Sequence, residues 1–417
     1  MHEKCIIIGV IIACLSGYCF GATHYLVTNG TPGVTSTAPY TNWATAGTNI
    51  IDVLNVAMTN AELPRMVWVS NGTYYLTNQV IITNALTFKS VNGREVTIVD
   101  GNSANRCFYI SNGVTLDGFA ITNGYTNDAG GGVWAYNVNI YNCLVTGNRS
   151  SNTAGGIYLN LGKITNCIIN GNTCLASANS GGGGVGAYGG ALLLGNTISG
   201  NVATNKTGDA IGGGVRINST AIISNCMIYG NTSYGIGGGI CIQNGPVVYN
   251  CLVYGNRSVI SWGGGIAVQS YSAACSIRNC TIVSNSSANG GGGIGQSGNV
   301  GYTNFIQNTI SYFNTGSGDS SSNLSSGAYM VSNCCIAPLS VLPVGSGMNI
   351  ESDPQFVNKD TGNWRLKANS PCVNAGTNEN WMTNSVDLDG RMRIRYGIVD
   401  MGAYETICNG TIYRLGF

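Results

Sequence analysis

A chain of 417 residues is longer than one compact domain usually is, so either several domains or one long repeat array is expected. Charged residues make up only 8% of it and the net charge is +1, which excludes an electrostatic nucleic-acid binder and a partner recognised through a strong single-sign field. Low charge also suits disordered chains, but a hydrophobic content of 44% in strict register argues for a packed fold.

Residues 1–22 read as a signal peptide. Lys4 supplies the positive start, Cys5 to Leu15 an apolar run too short to span a bilayer, and Ser16 to Ala22 small residues suited to cleavage. Ile11-Ile12-Ala13-Cys14 also fits a lipoprotein box that would place a lipid on Cys14. An exported protein is expected on either reading. Residues 23–65 follow as a first strand, His24-Tyr25-Leu26-Val27, a polar loop to Tyr40, and an amphipathic helix. Asn49 is its cap, Asp52 lies in its first turn, Ile50, Val53, Leu54, Ala57 and Met58 share one face, and Pro64 ends it.

Residues 66–315 are read as coils. Met66 to Tyr75, Val80 to Phe88 and Val96 to Asp100 are the first strands, and Val114 to Asn123 carries Phe119 and Ile121 in inward positions. From Gly130 one phrase recurs seven times. It opens on glycines and an aliphatic residue, as in Gly131-Gly132-Val133, Gly213-Gly214-Val215 and Gly264-Gly265-Ile266. It closes on an apolar-x-Asn-Cys-x-Ile/Val phrase, as in Ile140-Tyr141-Asn142-Cys143-Leu144-Val145. Anchored on Phe119, Cys143, Cys167, Asn196, Cys226, Cys251, Cys280 and Asn308, the intervals are 24, 24, 29, 30, 25, 29 and 28 residues. A period of that size signals a solenoid.

Apolar residues at the anchor and two positions beyond it have a period of two, hence strands. The apolar residue three positions before the anchor (Ile140, Ile164, Leu193, Ile223, Val248, Ile277, Phe305) is out of step by one, so the chain bends at the intervening asparagine. Like positions stacking once per coil predict an all-β, single-stranded parallel β-helix, right-handed by the crossover rule. Columns of cysteines and aliphatics would fill it, with a ladder of bend asparagines, and the helix between Asn49 and Pro64 would cap its open end. These repeats resemble the right-handed, pectin-lyase-like β-helices of bacterial secreted and surface proteins. The Gly-Gly-x-Ile phrase followed by x-x-Asn is similar to the repeats of chlamydial polymorphic outer membrane proteins, although this chain has Cys where that family has Phe.

Residues 316–348 are expected as a Ser/Gly-rich loop and a last irregular coil, and 349–417 as a capping segment. Asp353-Pro354-Gln355-Phe356, Trp364-Arg365-Leu366, Ser370-Pro371-Cys372, Asp387-Leu388-Asp389-Gly390-Arg391 and Asp400-Met401-Gly402-Ala403-Tyr404-Glu405 concentrate charge there. These phrases resemble the choice-of-anchor-type domain that follows β-helices in surface proteins. No apolar membrane span follows them in this sequence.

Sixteen cysteines invite disulfides, but stacked Cys143, Cys167, Cys226, Cys251 and Cys280 would have parallel Cα–Cβ vectors at the strand spacing, and buried free thiols are expected. Cys334, Cys335, Cys372 and Cys408 fall outside the columns and are the better disulfide candidates. Catalysis on a polysaccharide needs paired carboxylates, or acidic calcium ligands with a base. Between Gly130 and Asn314 the sequence has one carboxylate, Asp209, and no histidine; its basic residues are Arg149, Lys163, Lys206, Arg216, Arg257 and Arg278. Asp100, Asp117 and Asp128 are read as turn residues, with a gathered acidic face as the alternative. Asp387 and Asp389 fit either a calcium loop, with Asp400 or Glu405, or an ion-paired turn with Arg391, Arg393 and Arg395. Tyr229 and Tyr254 share an outward position on adjacent coils, suiting ladder packing or a sugar platform. The expectation is therefore an exported, non-catalytic protein without cofactor, metal or catalytic residues, contacting extracellular polysaccharide or a host or matrix surface. A polysaccharide lyase or hydrolase of the same fold is the alternative.

Overall fold

The computed structural model describes residues 21–175, 180–204, 210–296, 301–317, 322–395 and 397–407. Residues 1–20 of the leader with Cys14, and Lys206, Asp209 and Cys408, lie outside the described residues. Among the described residues the chain winds into three parallel sheets, of 19 (sheet A), 11 (sheet B) and 8 strands (sheet C), the parallel β-helix expected. Each strand pairs with its counterpart one coil away: Val133–Tyr141 with Ile157–Thr165, Leu144–Thr146 with Ile168–Asn170, Arg149–Ser150 with Thr173–Cys174. The interior is a stack of like residues, with Ile140, Ile164, Leu193, Ile223, Val248 and Ile277 at or near zero exposure.

Helix α1 runs Ile50–Thr59, and Asn49 caps it by accepting from the amides of Ile51 and Asp52. Val53, Leu54 and Ala57 are buried in the same core as Leu26, closing the first coil. The opposite end is closed by residues 342–350: Leu342 packs on the core, and Gly347 and Ile350 bridge to Ser332 and Cys335.

The bend asparagines behave as their position requires. Asn142, Asn166, Asn225, Asn250 and Asn279 have φ between 48° and 56°, a left-handed conformation that Asn tolerates best after Gly, and Gly195 occupies the same position at φ 64°. Their ladder is only partial. Asn166 donates to Asn142 and Asn142 to Asp117, but Asn225 and Asn250 donate to the carbonyl of Val386. The continuous ladder is a second one, five residues past each anchor from Cys143 to Cys280 and six past Asn308: Asn148, Asn172, Asn201, Asn231, Asn256, Asn285 and Asn314, all 5% exposed or less. From Asn172 onward each side-chain oxygen accepts both the amide and the side-chain NH2 of the asparagine one coil earlier, as Asn231 does from Asn201 at 2.9 Å, while Asn148 accepts from the amide of Gly124. Its signal was present as Gly-Asn at 147–148, 171–172, 200–201, 230–231 and 255–256.

That ladder explains the glycines. An added Cβ on Gly214 would lie 2.9 Å from the Asn231 amide, and one on Gly213 2.3 Å from the Gly238 carbonyl. Sheets A and C meet backbone to backbone there, with only the asparagines between them. The register of the last full coil differs from the expected one. Cys280 stands over Thr309, not Asn308; Ile306 faces inward while Phe305 is 42% exposed; and Ser311 takes the inward position of Ile310. Asn308, at φ 50°, aligns with Asn279, so the bend conformation sets the register even at the cost of exposing Phe305. Cys334 is a second correction: it lies in the cysteine column, fully buried, with its Sγ accepting from the amide of Thr309.

The C-terminal segment lies along the flank of the coils. Phe356, Trp364, Leu366, Cys372, Met401, Ala403 and Tyr404 pack over Leu252, Val283, Ile310 and Cys335 on the outer face of sheet B.

Candidate functional site

The outer face of sheet A carries the most continuous side-chain array. Ile81, Tyr109, Trp134 and Tyr158 are in register on consecutive coils, and the three aromatic rings stack at 4.2 Å and 6.0 Å between centroids with planes within 12°. Gly186 takes the next position, and the space left by its missing side chain admits Tyr188, whose ring follows at 5.2 Å, tilted by 32° from that of Tyr158. The Arg216 guanidinium sits 5.7 Å over Tyr188 and donates to Gln243, which donates to Gln269. The result is a ribbon of rings followed by amides. Because the Tyr109, Trp134 and Tyr158 rings stack along the axis, their faces cover one another, and the strip is left half-buried.

A cleft of about 590 Å³ adjoins the first coils of this ribbon, lined by Gln79, Ile81, Arg106, Tyr125 and Asp128 among others. Arg106 is a structural plug: its guanidinium donates to the carbonyls of Ala129 and Gly130, to Gln79 and to Asp128. The early aspartates do not gather. Asp117 is paired with Lys89 at 2.8 Å and holds the Asn142 amide. Asp128 is paired with Arg106 at 3.3 Å. Asp100 accepts from the Asn102 backbone and the Asn123 side chain, as a turn residue does. His24 is buried with Nδ1 at 2.6 Å from the Pro39 carbonyl. Arg149, Lys163 and Arg257 lie exposed on the coils, and Arg278 is tied to Glu379 at 2.6 Å.

Tyr229 and Tyr254 do stack, at 4.9 Å, but Trp364 packs on Tyr254 at 6.3 Å, so the C-terminal segment covers the position where an open platform was considered. The sequence could not show this, because the covering residues lie more than a hundred positions away.

The acidic phrases of the C-terminal segment form an ion-paired turn. Asp389 accepts from Arg365 through both carboxylate oxygens and pairs with Arg391 at 2.9 Å; the Arg365 contact holds its carboxyl below the usual range. Asp387 holds the amides of Asp389, Arg391 and Glu405, and Asp400 those of Asn374 and Thr406. Arg393 and Glu405 form a fully buried pair at 3.2 Å. Burial nevertheless pushes the Glu405 carboxyl up to about 8, with the neighbouring Asp400 and Asp387 adding to the rise and Arg393 opposing it. A carboxyl raised on folding stabilises the fold fully below its unfolded value of 4.5 and loses that contribution as pH rises to about 8. Limited proteolysis of residues 353–405 is therefore expected to accelerate as pH rises across that window, and Glu405→Gln to flatten the dependence.

These features define the class: an all-β parallel solenoid of the pectate-lyase-like kind. Among solved structures it is similar to pectate lyase Pel9A, at 16% identity over 93% of this chain and 96% of that one, with a TM-score of 0.61. A rhamnogalacturonan lyase (15% identity, 93% and 97% covered, TM-score 0.38) and the pectin methylesterase from Aspergillus niger (13%, 82% and 99%, TM-score 0.31) align more loosely. At such identities the likeness is one of fold. No family model and no curated protein matches the chain.

Proposed function

We propose that this chain is an exported, non-catalytic β-helix of the cell surface or extracellular space, whose sheet A face makes repeated shallow contacts with glycans or matrix. The observation that carries this reading is the occupation of the three early aspartates: Asp100, Asp117 and Asp128 are each bonded to a structural partner, while the ribbon from Tyr109 to Tyr188 stands half-exposed, its first coils beside a cleft. The repeat phrases similar to polymorphic outer membrane proteins, and the anchor-like C-terminal phrases, support a surface location. The fold likeness to pectate lyase Pel9A favours a second reading, a polysaccharide lyase or hydrolase.

Incubating the purified protein with a panel of plant and algal polysaccharides separates the two. Retention on at least one polymer in affinity electrophoresis, without unsaturated or reducing ends, is expected, and Trp134→Ala should weaken it several-fold. Product release would establish the enzyme; lack of retention on every polymer would remove the glycan contact.

A further inference from the structure

Two groups among the described cysteines contrast in geometry. Thiols of the inner column stand side by side in one orientation, each donating to a carbonyl two residues earlier in its own coil, as Cys143 does to Tyr141 and Cys251 to Tyr249. Cys335 and Cys372 are different. Cys335 points outward from sheet B in the last coil, in register with Ile310, and donates to the Ser352 carbonyl. Cys372 points back from the overlying C-terminal segment, its amide bonded to Ser370, whose hydroxyl is bonded to the Pro354 carbonyl. Both are fully buried in one apolar cluster, where the two thiols adjoin. Two side chains approaching from opposed elements can bring their sulfurs into bonding geometry, whereas parallel neighbours in a column cannot without moving the backbone.

We propose that Cys335 and Cys372 are a disulfide-forming pair that fastens the C-terminal segment to the last coil of the solenoid. The oxidant is a small dissolved disulfide such as oxidised glutathione. One cysteine thiolate attacks its S–S bond, expels one glutathione thiolate and leaves a mixed disulfide. The second cysteine, as thiolate, attacks the protein-side sulfur and expels the other glutathione. Two protons and two electrons thus leave the pair, and one small disulfide becomes two thiols. In the packed state the contact with Cys372 and burial both hold the Cys335 thiol far above its ordinary pKa, so the thiolate is scarce. The bond therefore forms while the segment docks and only slowly once it has docked.

The full chain is refolded in a glutathione redox buffer, quenched with acid, alkylated in urea and mapped without reduction. The expected product is a single peptide joining Cys335 to Cys372, with the column cysteines alkylated. Oxidised protein should resist proteolysis of residues 353–405 at least several-fold better than reduced protein, and Cys372→Ser should abolish the difference. Should that variant fail to fold, Cys335→Ala provides the same comparison. Alkylation of both Cys335 and Cys372 after refolding, or a bridge from Cys372 to a column cysteine, overturns the proposal. Neither result bears on glycan retention, which is measured separately.

Discussion

Asn231→Leu is expected to lower the stability of the solenoid by about 3–5 kcal/mol, although the substitution adds apolar bulk to a buried site. The Asn231 side-chain oxygen accepts from the amide and the side chain of Asn201, and its NH2 donates to the Ile198 carbonyl and to Asn256. Leucine ends all four bonds. A buried donor or acceptor left without a partner costs about 1–3 kcal/mol, and here no water can replace the lost amide because the site has zero exposure. The branched chain must also fit where the amide already lies within 2.9 Å of the position of a Cβ on Gly214. Urea unfolding followed by circular dichroism measures the effect, with the exposed Lys163→Ala as a control expected within about 0.5 kcal/mol of the parent. A loss below about 1 kcal/mol for Asn231→Leu would mean that the ladder merely follows the packing. Because coils stabilise only their neighbours, the unfolding transition should also broaden as the chain divides near this coil.

The second large effect is expected at Gly238, and it contrasts with a harmless change at Gly195. A Cβ on Gly238 would stand 2.4 Å from the Gly264 carbonyl oxygen and from the backbone of Arg257, neither of which can move without parting two coils. Gly238→Ala should therefore cost more than about 3 kcal/mol, and Gly238→Val should prevent accumulation of folded protein. Gly195, unlike Gly238, has a positive φ, 64°, and nothing lies within 4 Å of its missing Cβ. Asn166 and Asn225 hold the same position at φ 56° and 53° in the adjoining coils. Gly195→Asn is thus expected to leave the unfolding midpoint unchanged or slightly raised. Equal destabilisation by the two changes would refute the distinction between crowding and conformation as reasons for glycine here.

The glycines illustrate how far the repeat could be read before its coordinates. Their columns were recognisable from recurrence; whether crowding or a positive φ is the reason at a given glycine depends on what lies opposite in space. The asparagines show the same limit. The bend column was legible because its neighbours break the apolar alternation, whereas the buried ladder five residues on stood between strands and had no hydrophobic pattern to mark it. At the last coil the pattern itself misled: Phe305-Ile306 offers two apolar residues for one inward position, and the larger was assigned to it. The left-handed bend at Asn308 decided for Ile306.

The candidate site was less legible than the fold. The aromatic ribbon depends on Tyr109, Trp134 and Tyr158 occupying one outward position and on Tyr188 crossing from its own column over Gly186, a shift that no periodicity announces. The covering of Tyr254 and the meeting of Cys335 with Cys372 both depend on where the C-terminal segment lies.

By itself the sequence determined the winding: one coil lies on the next, so spacing along the chain is spacing in space, and a residue's neighbours are its own repeats. That locality gave away the coils, the capping helix, the inward columns and the buried thiols. Only the tertiary structure decided where the non-repeating C-terminal residues rest, since bonds such as that from Asn225 to Asp387 join positions 162 apart and leave no periodic trace. It thereby decided which face is covered and which remains open to a partner.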